Sequence, residues 1–354
     1  LSLNPKPVLA LGDPLGTASL RVSPQDFFVE ESLGFEPEGE GEHAFLRIEK
    51  TGIGTQELAQ QVATLANVPR RDVGYSGLKD SRAVTRQWLS VGLAGKPAPD
   101  WRSLEADGRV AILEVKQHRK KLRRGVHRAN CFVLALRDLR TPDKSLLEQR
   151  LQQVAQGGVP NYFGVQRFGH NGSTLAQARH WLDRGGRRIA RNRKSLYLSA
   201  LRSALFNALL AERVEAGTWC EVAEGDACML NGTHSVFAFD GEDPSVAERC
   251  RQGDVHPALP LWGRGEPLGS ALRHQAYYDC FGEWQGVADG LCNQGLSLAY
   301  RPARVLPDDF CWEFCDDDAL RLEFSLGAGS YATAVVAELV EINDGDVGSG
   351  ASIE

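Results

Sequence analysis

The chain opens on the polar–apolar alternation that a half-buried strand requires. Ser19-Leu-Arg-Val22, Asp26-Phe-Phe-Val-Glu-Glu31 and His43-Ala-Phe-Leu-Arg-Ile48 all read as strands. The period then lengthens: with Thr55 as N-cap, Leu58, Val62 and Leu65 share one helical face. Val73-Gly-Tyr-Ser, a loop Gly77-Leu-Lys-Asp80-Ser-Arg82 and a strand Val84–Val91 follow. Strands are expected near 109–117 and 131–139, and Pro142 and Asp143 open a helix to about Val154. Gly157-Gly-Val-Pro-Asn-Tyr-Phe-Gly164 breaks the pattern. Helices are predicted at about 173–183 and 195–215, then an acidic, weakly patterned stretch to about Pro307. Leu320–Leu326 again reads as strand, and after a Gly-Ala-Gly-Ser turn a helix carries Val335, Val336, Leu339 and Val340. Hairpin-like strands mixed with helices, without a βαβ series or a repeat, predict an α+β fold. At 354 residues, two packed units are expected.

Charge divides the chain. The net value is −6, but residues 1–200 hold 31 Lys and Arg against 20 Asp and Glu, and residues 201–354 hold 9 against 26. Two dense clusters lie in the cationic part: Lys116, Arg119, Lys120, Lys121, Arg123, Arg124 and Arg128, then Arg184, Arg187, Arg188, Arg191, Arg193 and Lys194. Such density suits a polyanion, because each neutralised phosphate releases condensed counterions. It does not separate RNA from DNA, and a solvated loop is the plainer reading of either cluster alone. No apolar run spans a membrane and no export leader is seen, so a cytoplasmic protein with reduced thiols is expected. Of the eight cysteines, Cys311 and Cys315 are the closest pair and lack a second pair or a histidine at ligand spacing, so no metal is expected.

Gly77-Leu-Lys-Asp80-Ser-Arg-Ala-Val-Thr-Arg-Gln-Trp88 is the segment with the most chemical promise. An aspartate in a glycine-led turn is usually only turn chemistry. A loop on a rigid sheet can also present a nucleophile, and the cations Lys79 and Arg82 beside Asp80 would favour its ionised form. Rival machinery is missing: there is no Gly-x4-Gly-Lys-Ser/Thr loop, His-Glu-x-x-His or Gly-x-Ser-x-Gly. The eight histidines are read as mostly in loops, and none as a general base.

Through this segment the chain resembles the TruD family, tRNA pseudouridine synthase D. The resemblance continues in Ser23-Pro-Gln-Asp-Phe27, Glu38-Gly-Glu-Gly-Glu-His43 and Leu122-Arg-Arg-Gly-Val-His-Arg-Ala-Asn-Cys-Phe132. It extends to Val159-Pro-Asn-Tyr-Phe-Gly-Val-Gln-Arg-Phe-Gly169, Leu198-Ser-Ala-Leu-Arg-Ser-Ala-Leu-Phe-Asn207 and Gly329-Ser-Tyr-Ala-Thr333. It implies a pseudouridine synthase catalytic fold around a mixed or antiparallel sheet, made of residues 1–160 and 308–354. A family-specific α+β insertion at 161–307 would lie between them. The implied reaction is isomerisation of uridine to pseudouridine, at position 13 of certain tRNAs, without a cofactor.

Carried over position by position, Asp80 is the nucleophile, Phe27 contacts the target base, Asn130 faces the uracil and Phe132 lies two residues on. Tyr331 stands where relatives often have phenylalanine, so its hydroxyl needs a partner. Ser23, Ser81-Arg82 and Cys131 are lesser departures. Arg21 and Lys79 are both candidates for the basic partner of Asp80. No membrane and no obligate protein partner are implied. A noncatalytic RNA-binding protein could dispense with Asp80, and a metal-dependent nuclease lacks a carboxylate cluster. The consecutive Asp316, Asp317 and Asp318 read as a hairpin turn.

Overall fold

A computed structural model describes residues 7–93, 95–315 and 318–343; Asp316 and Asp317 of the expected hairpin turn fall outside them. The chain begins with β1 (Thr17–Ser19), β2 (Phe27–Ser32) and β3 (His43–Thr51), then α1 (Thr55–Leu65). β4 (Val73–Tyr75), β5 (Val84–Gly92), β6 (Val110–His118) and β7 (Ala129–Arg140) lead to α2 (Lys144–Gly157). After β8 (Val159–Pro160) come α3 (Ser173–Asp183) and the long α4 (Arg191–Glu215). β9 (Ala227–Leu230), β10 (Val236–Ala238), α5 (Pro244–Arg251), β11 (Val255–Leu261), α6 (Ala271–Cys280), α7 (Gln285–Asn293) and β12 (Ala299–Pro302) follow. The described chain closes with β13 (Arg304–Val305), β14 (Asp308–Cys315), β15 (Ala319–Gly327), α8 (Ala332–Ala337) and β16 (Glu341–Ile342).

The large sheet runs β14-β15-β7-β2-β5-β3-β6, with β4 on β5, β1 on β7 and β16 on β1. Its neighbours are antiparallel except β2 with β5 and β1 with β16, which are parallel. The fold is α+β around a mixed sheet. One apolar cluster joins Phe27, Phe132, Leu134, Leu322 and Phe324 to Leu147 and Leu151 of α2 and Val335 of α8. Another packs Leu46, Ile48 and Leu89 on Leu58 and Val62 of α1. Two-residue alternation delivers each strand's apolar side to these cores.

A separate four-stranded sheet, β10-β9-β11-β12, lies beside a helical core built on α3, α4 and α7. Where the chain leaves the large sheet and where it returns, β8 and β13 pair, with Val159 opposite Val305 and Pro160 opposite Arg304. Gly158 sits at φ +73°, and a Cβ there would lie 2.3 Å from the Val305 carbonyl oxygen. Only glycine fits that crossing.

Several sequence expectations are corrected. The first strand stops at Ser19 rather than running to Val22, because Arg21 adopts φ +64°, outside the extended region. Gly54, not Thr55, is the N-cap of α1, and the buried Thr55 hydroxyl serves a tertiary contact instead. α8 ends at Ala337, so the buried Leu339 and Val340 lie past the helix. The second predicted helix of the 173–215 region starts earlier, at Arg191. The stretch read as weakly patterned holds the strands β9 to β13 and the helices α5 to α7. Six of the eight histidines lie in strands or helices rather than loops: His43, His118, His180, His256 and His274, with His170 in a single 3-10 turn.

Candidate active site

Asp80 lies in the loop between β4 and β5, and that loop is fastened to the turn where β3 gives way to α1. Lys50, with 0% exposure, donates from Nζ to the carbonyls of Ile53 at 2.7 Å and Asp80 at 2.9 Å. The Thr55 hydroxyl donates to Gln87 Oε1 at 2.9 Å and accepts the Lys79 N–H at 2.8 Å. The Gly52 N–H reaches the Ser81 carbonyl at 3.0 Å. Burial pushes the Lys50 ammonium down to about 8, against the opposing pull of Asp80, with Lys79 adding to the fall. A buried ammonium persists only where carbonyls satisfy it, and here they belong to the Asp80 loop and the turn before α1.

The Asp80 carboxylate is 11% exposed and held at both oxygens. Oδ2 meets Arg21 Nη2 at 3.1 Å, and Oδ1 accepts the Arg82 N–H at 2.9 Å. Of the two candidate partners, Arg21 makes the ion pair. Lys79 turns away: its Nζ lies 2.6 Å from Glu31 Oε2 in a buried pair. Arg21 reaches this point from a left-handed backbone conformation at φ +64°, and its guanidinium also lies 4.1 Å above the Phe27 ring. Asp26 sets the entry to Phe27, with Oδ2 accepting the Ser23 N–H and Oδ1 accepting Arg137 Nε, each at 2.7 Å.

Phe27 and Phe132 are buried and meet edge to face at 6.2 Å, with Phe324 behind Phe132 at 5.5 Å. Asn130, two residues earlier on β7, stands opposite Glu31 of β2. Its Nδ2 lies 3.3 Å from His127 Nε2, while its Oδ1 is buried with no hydrogen-bond partner among the described residues. The structure thus gathers Arg21, Phe27, Lys79, Asp80, Asn130 and Phe132 on β2, β7 and the loops beside them. Lys50, Glu31 and His127 join them without having been singled out in the sequence.

Tyr331 belongs to a different set of contacts. Its hydroxyl accepts from Arg167 Nη2 at 2.8 Å, and its ring meets Phe163 at 6.2 Å. Arg301 bridges the same two motifs, donating to the Asn161 carbonyl at 3.2 Å and the Gly329 carbonyl at 2.9 Å. Tyr331 therefore joins the Asn161–Gly169 segment to the Gly329–Thr333 turn. Replacing Tyr331 with Phe is expected to lower unfolding free energy by about 1 kcal/mol, because Arg167 loses an acceptor. Denaturant titration of both proteins checks this, and coincident curves would show the hydroxyl to be idle.

Among the described residues no group of three or more His, Cys, Asp and Glu could hold a metal ion, and no helix is long and apolar enough to cross a membrane. The family model described as tRNA pseudouridine synthase D (TruD) matches residues 12–180 and 172–339. The chain belongs to the TruD family. It is 46% identical to tRNA pseudouridine synthase D of Methylococcus capsulatus over 336 residues, 94% of each protein. It is 42% identical to the Aeromonas hydrophila protein of that name over 338 residues, 95% of this chain and 94% of the other. A solved Methanosarcina mazei structure bearing the TruD name superposes with a TM-score of 0.69 over 96% of this chain and 97% of the other, at 20% identity. That last likeness supports the TruD fold alone.

Proposed function

We propose that this TruD member isomerises uridine to pseudouridine in tRNA, at position 13, with Asp80 as nucleophile and without a cofactor. The observation that carries the reading is the Asp80–Arg21 pair, set on a loop that Lys50, Thr55 and Gly52 fasten from behind. A carboxylate oxygen attacks C1′ as the C1′–N1 bond breaks. The detached uracil turns in a closed pocket, and its C5 bonds to C1′ as the carboxylate leaves. C5 gives up its proton and N1 gains one, so substrate and product have the same composition. Arg21 fixes the direction of Oδ2 and balances its charge.

In this reading Phe27 and Phe132 line the base pocket and Asn130 meets the uracil edge, while a part for Tyr331 in base binding rests on the family resemblance alone. The flipped base costs a few kcal/mol of stacking to extract from the RNA. Arg184, Arg187, Arg188, Arg191 and Arg193 are all exposed and supply phosphate contacts. Three of the cations, Arg191, Arg193 and Lys194, stand in the first turn of α4, where the helix dipole disfavours positive charge. A bound polyanion there would offset that placement.

We take residues 1–160 with 308–354 as the catalytic unit and 161–307 as the insertion. This division is supported by β14 and β15 lying in the large sheet while β9–β12 form their own. Cytoplasmic location belongs to the same proposal, as the compartment of its tRNA substrate. The test is site-resolved pseudouridine mapping on unmodified tRNA incubated with the purified protein. A new pseudouridine at position 13 is expected. Modification confined to another position would overturn the site assignment, and none at all would overturn the activity.

A further inference from the structure

His127 lies in the basic loop before β7, yet it is buried and faces inward. Its Nδ1 is 2.6 Å from Ser76 Oγ, and the same hydroxyl accepts the His127 backbone N–H at 2.7 Å. On the other side, Nε2 is 3.3 Å from Asn130 Nδ2. With the amide oriented as placed, its NH2 donates and Nε2 accepts, which assigns the imidazole proton to Nδ1, donating to Ser76. With its NH2 engaged, Asn130 is left with a buried Oδ1 that no described residue satisfies. A buried acceptor without a partner is uncommon, and one beside a substrate pocket calls for a donor from the ligand.

We propose that His127 is a positioning residue. Held by Ser76, it orients the Asn130 amide so that Oδ1 accepts an N–H from the pyrimidine edge, which uracil has at N3 and cytosine lacks. The inference rests on the reading of Asn130 as the group that faces the base. The pocket packs closely around the imidazole: a Cβ at Gly77 would lie 3.4 Å from His127 Cε1 and 3.3 Å from Lys79 Nζ. The charged groups facing His127 are Lys79 from the Asp80 loop and Glu31 from β2. Burial, with Lys79 adding to it and Glu31 opposing, holds the imidazole below its ordinary 6.5.

The neutral form required for orientation therefore prevails at neutral pH. As pH falls through the lowered value, Nε2 gains a proton and becomes a donor. The Asn130 amide must then turn its oxygen toward His127 and its NH2 toward the base. A uridine N3–H meets a donor in that state, so the rate should fall on the acid side of 6.5.

The experiment is single-turnover pseudouridine formation across that pH range for the parent, His127→Leu, His127→Gln and Asn130→Ala. His127→Leu removes the acceptor and should slow the neutral-pH rate about ten-fold. His127→Gln keeps an acceptor that does not titrate, and should stay within about threefold of the parent at neutral pH. Both should lose the component of the acid limb that His127 contributes. Should His127→Leu fail to fold, the Gln variant decides through its pH profile. A parental acid limb in His127→Gln would overturn the proposal, as would a parental rate and limb in His127→Leu. Asn130→Ala separates the two levels. A near-parental rate there removes the underlying reading of Asn130, whereas a collapsed rate beside unaffected His127 variants removes only the role of His127.

Discussion

Affinity for tRNA is expected to fall roughly 10³-fold between about 50 and 200 mM salt, the response of a surface that neutralises about six phosphates. The structure sharpens which cations supply it. In the first basic cluster, Lys116 is paired with Glu36 and Glu114, and Arg119 with Glu38 and Glu40. Arg124 donates to the Tyr75 hydroxyl at 2.8 Å and lies over its ring. Cations already matched by carboxylates release few counterions when RNA arrives. Neutralising Lys116 and Arg119 together should therefore leave the salt slope nearly unchanged. Replacing Arg187, Arg188, Arg191 and Arg193 with Gln should flatten it by roughly three to four units of slope, about 0.9 for each phosphate left without its cation. Binding isotherms at several salt concentrations read both. Equal slopes in the parent and the four-residue variant would remove the α3–α4 loop from the RNA path.

Much of the site was legible because its pieces are local. The Gly77–Trp88 segment announces a loop between strands, and the structure sets Asp80 there. What the sequence left open was the partner, since Lys79 adjoins Asp80 and Arg21 is far away in the chain. Tertiary structure decided it by burying Lys79 against Glu31. Reading the first strand through to Val22 also missed the left-handed backbone of Arg21, the candidate that does pair with Asp80.

Two missed residues had a signal that could have found them. In β3 the apolar Ala44, Leu46 and Ile48 put even positions inward, and the same period places Lys50 inward. In β2 the buried Phe27 and Val29 likewise send Glu31 to the core side. A charged residue that continues an apolar stripe is expected to carry a partner, and both do. His127 had no such signal, sitting in a run whose density of arginine and lysine read as solvated. The four-stranded sheet was missed for another reason. β11, Val255-His-Pro-Ala-Leu-Pro-Leu261, is buried along nearly its whole length and carries two prolines, so neither alternation nor propensity marks it.

The central claim is that Asp80 attacks the ribose, and its most direct test is Asp80→Asn in single-turnover pseudouridine formation with enzyme in excess. The substitution keeps the shape of the side chain and an oxygen for the Arg82 N–H, which Oδ1 now accepts at 2.9 Å. It removes the charge that pairs with Arg21 and nearly all the nucleophilicity. Some stability should be lost, about 1–2 kcal/mol, because the pair is largely buried at 24% and 11% exposure. Asn still offers an oxygen to the Arg82 N–H, so the fold should be retained. Binding of tRNA should be close to parental, since the cations proposed to contact phosphate lie elsewhere. The account predicts a rate at least about 10³-fold below the parent, with no pseudouridine accumulating on the parental timescale. A turn residue with no part in the chemistry would tolerate Asn, which suits such loops equally well. A rate within about ten-fold of the parent, only about 1.4 kcal/mol in the barrier, would contradict the assignment of Asp80 as nucleophile.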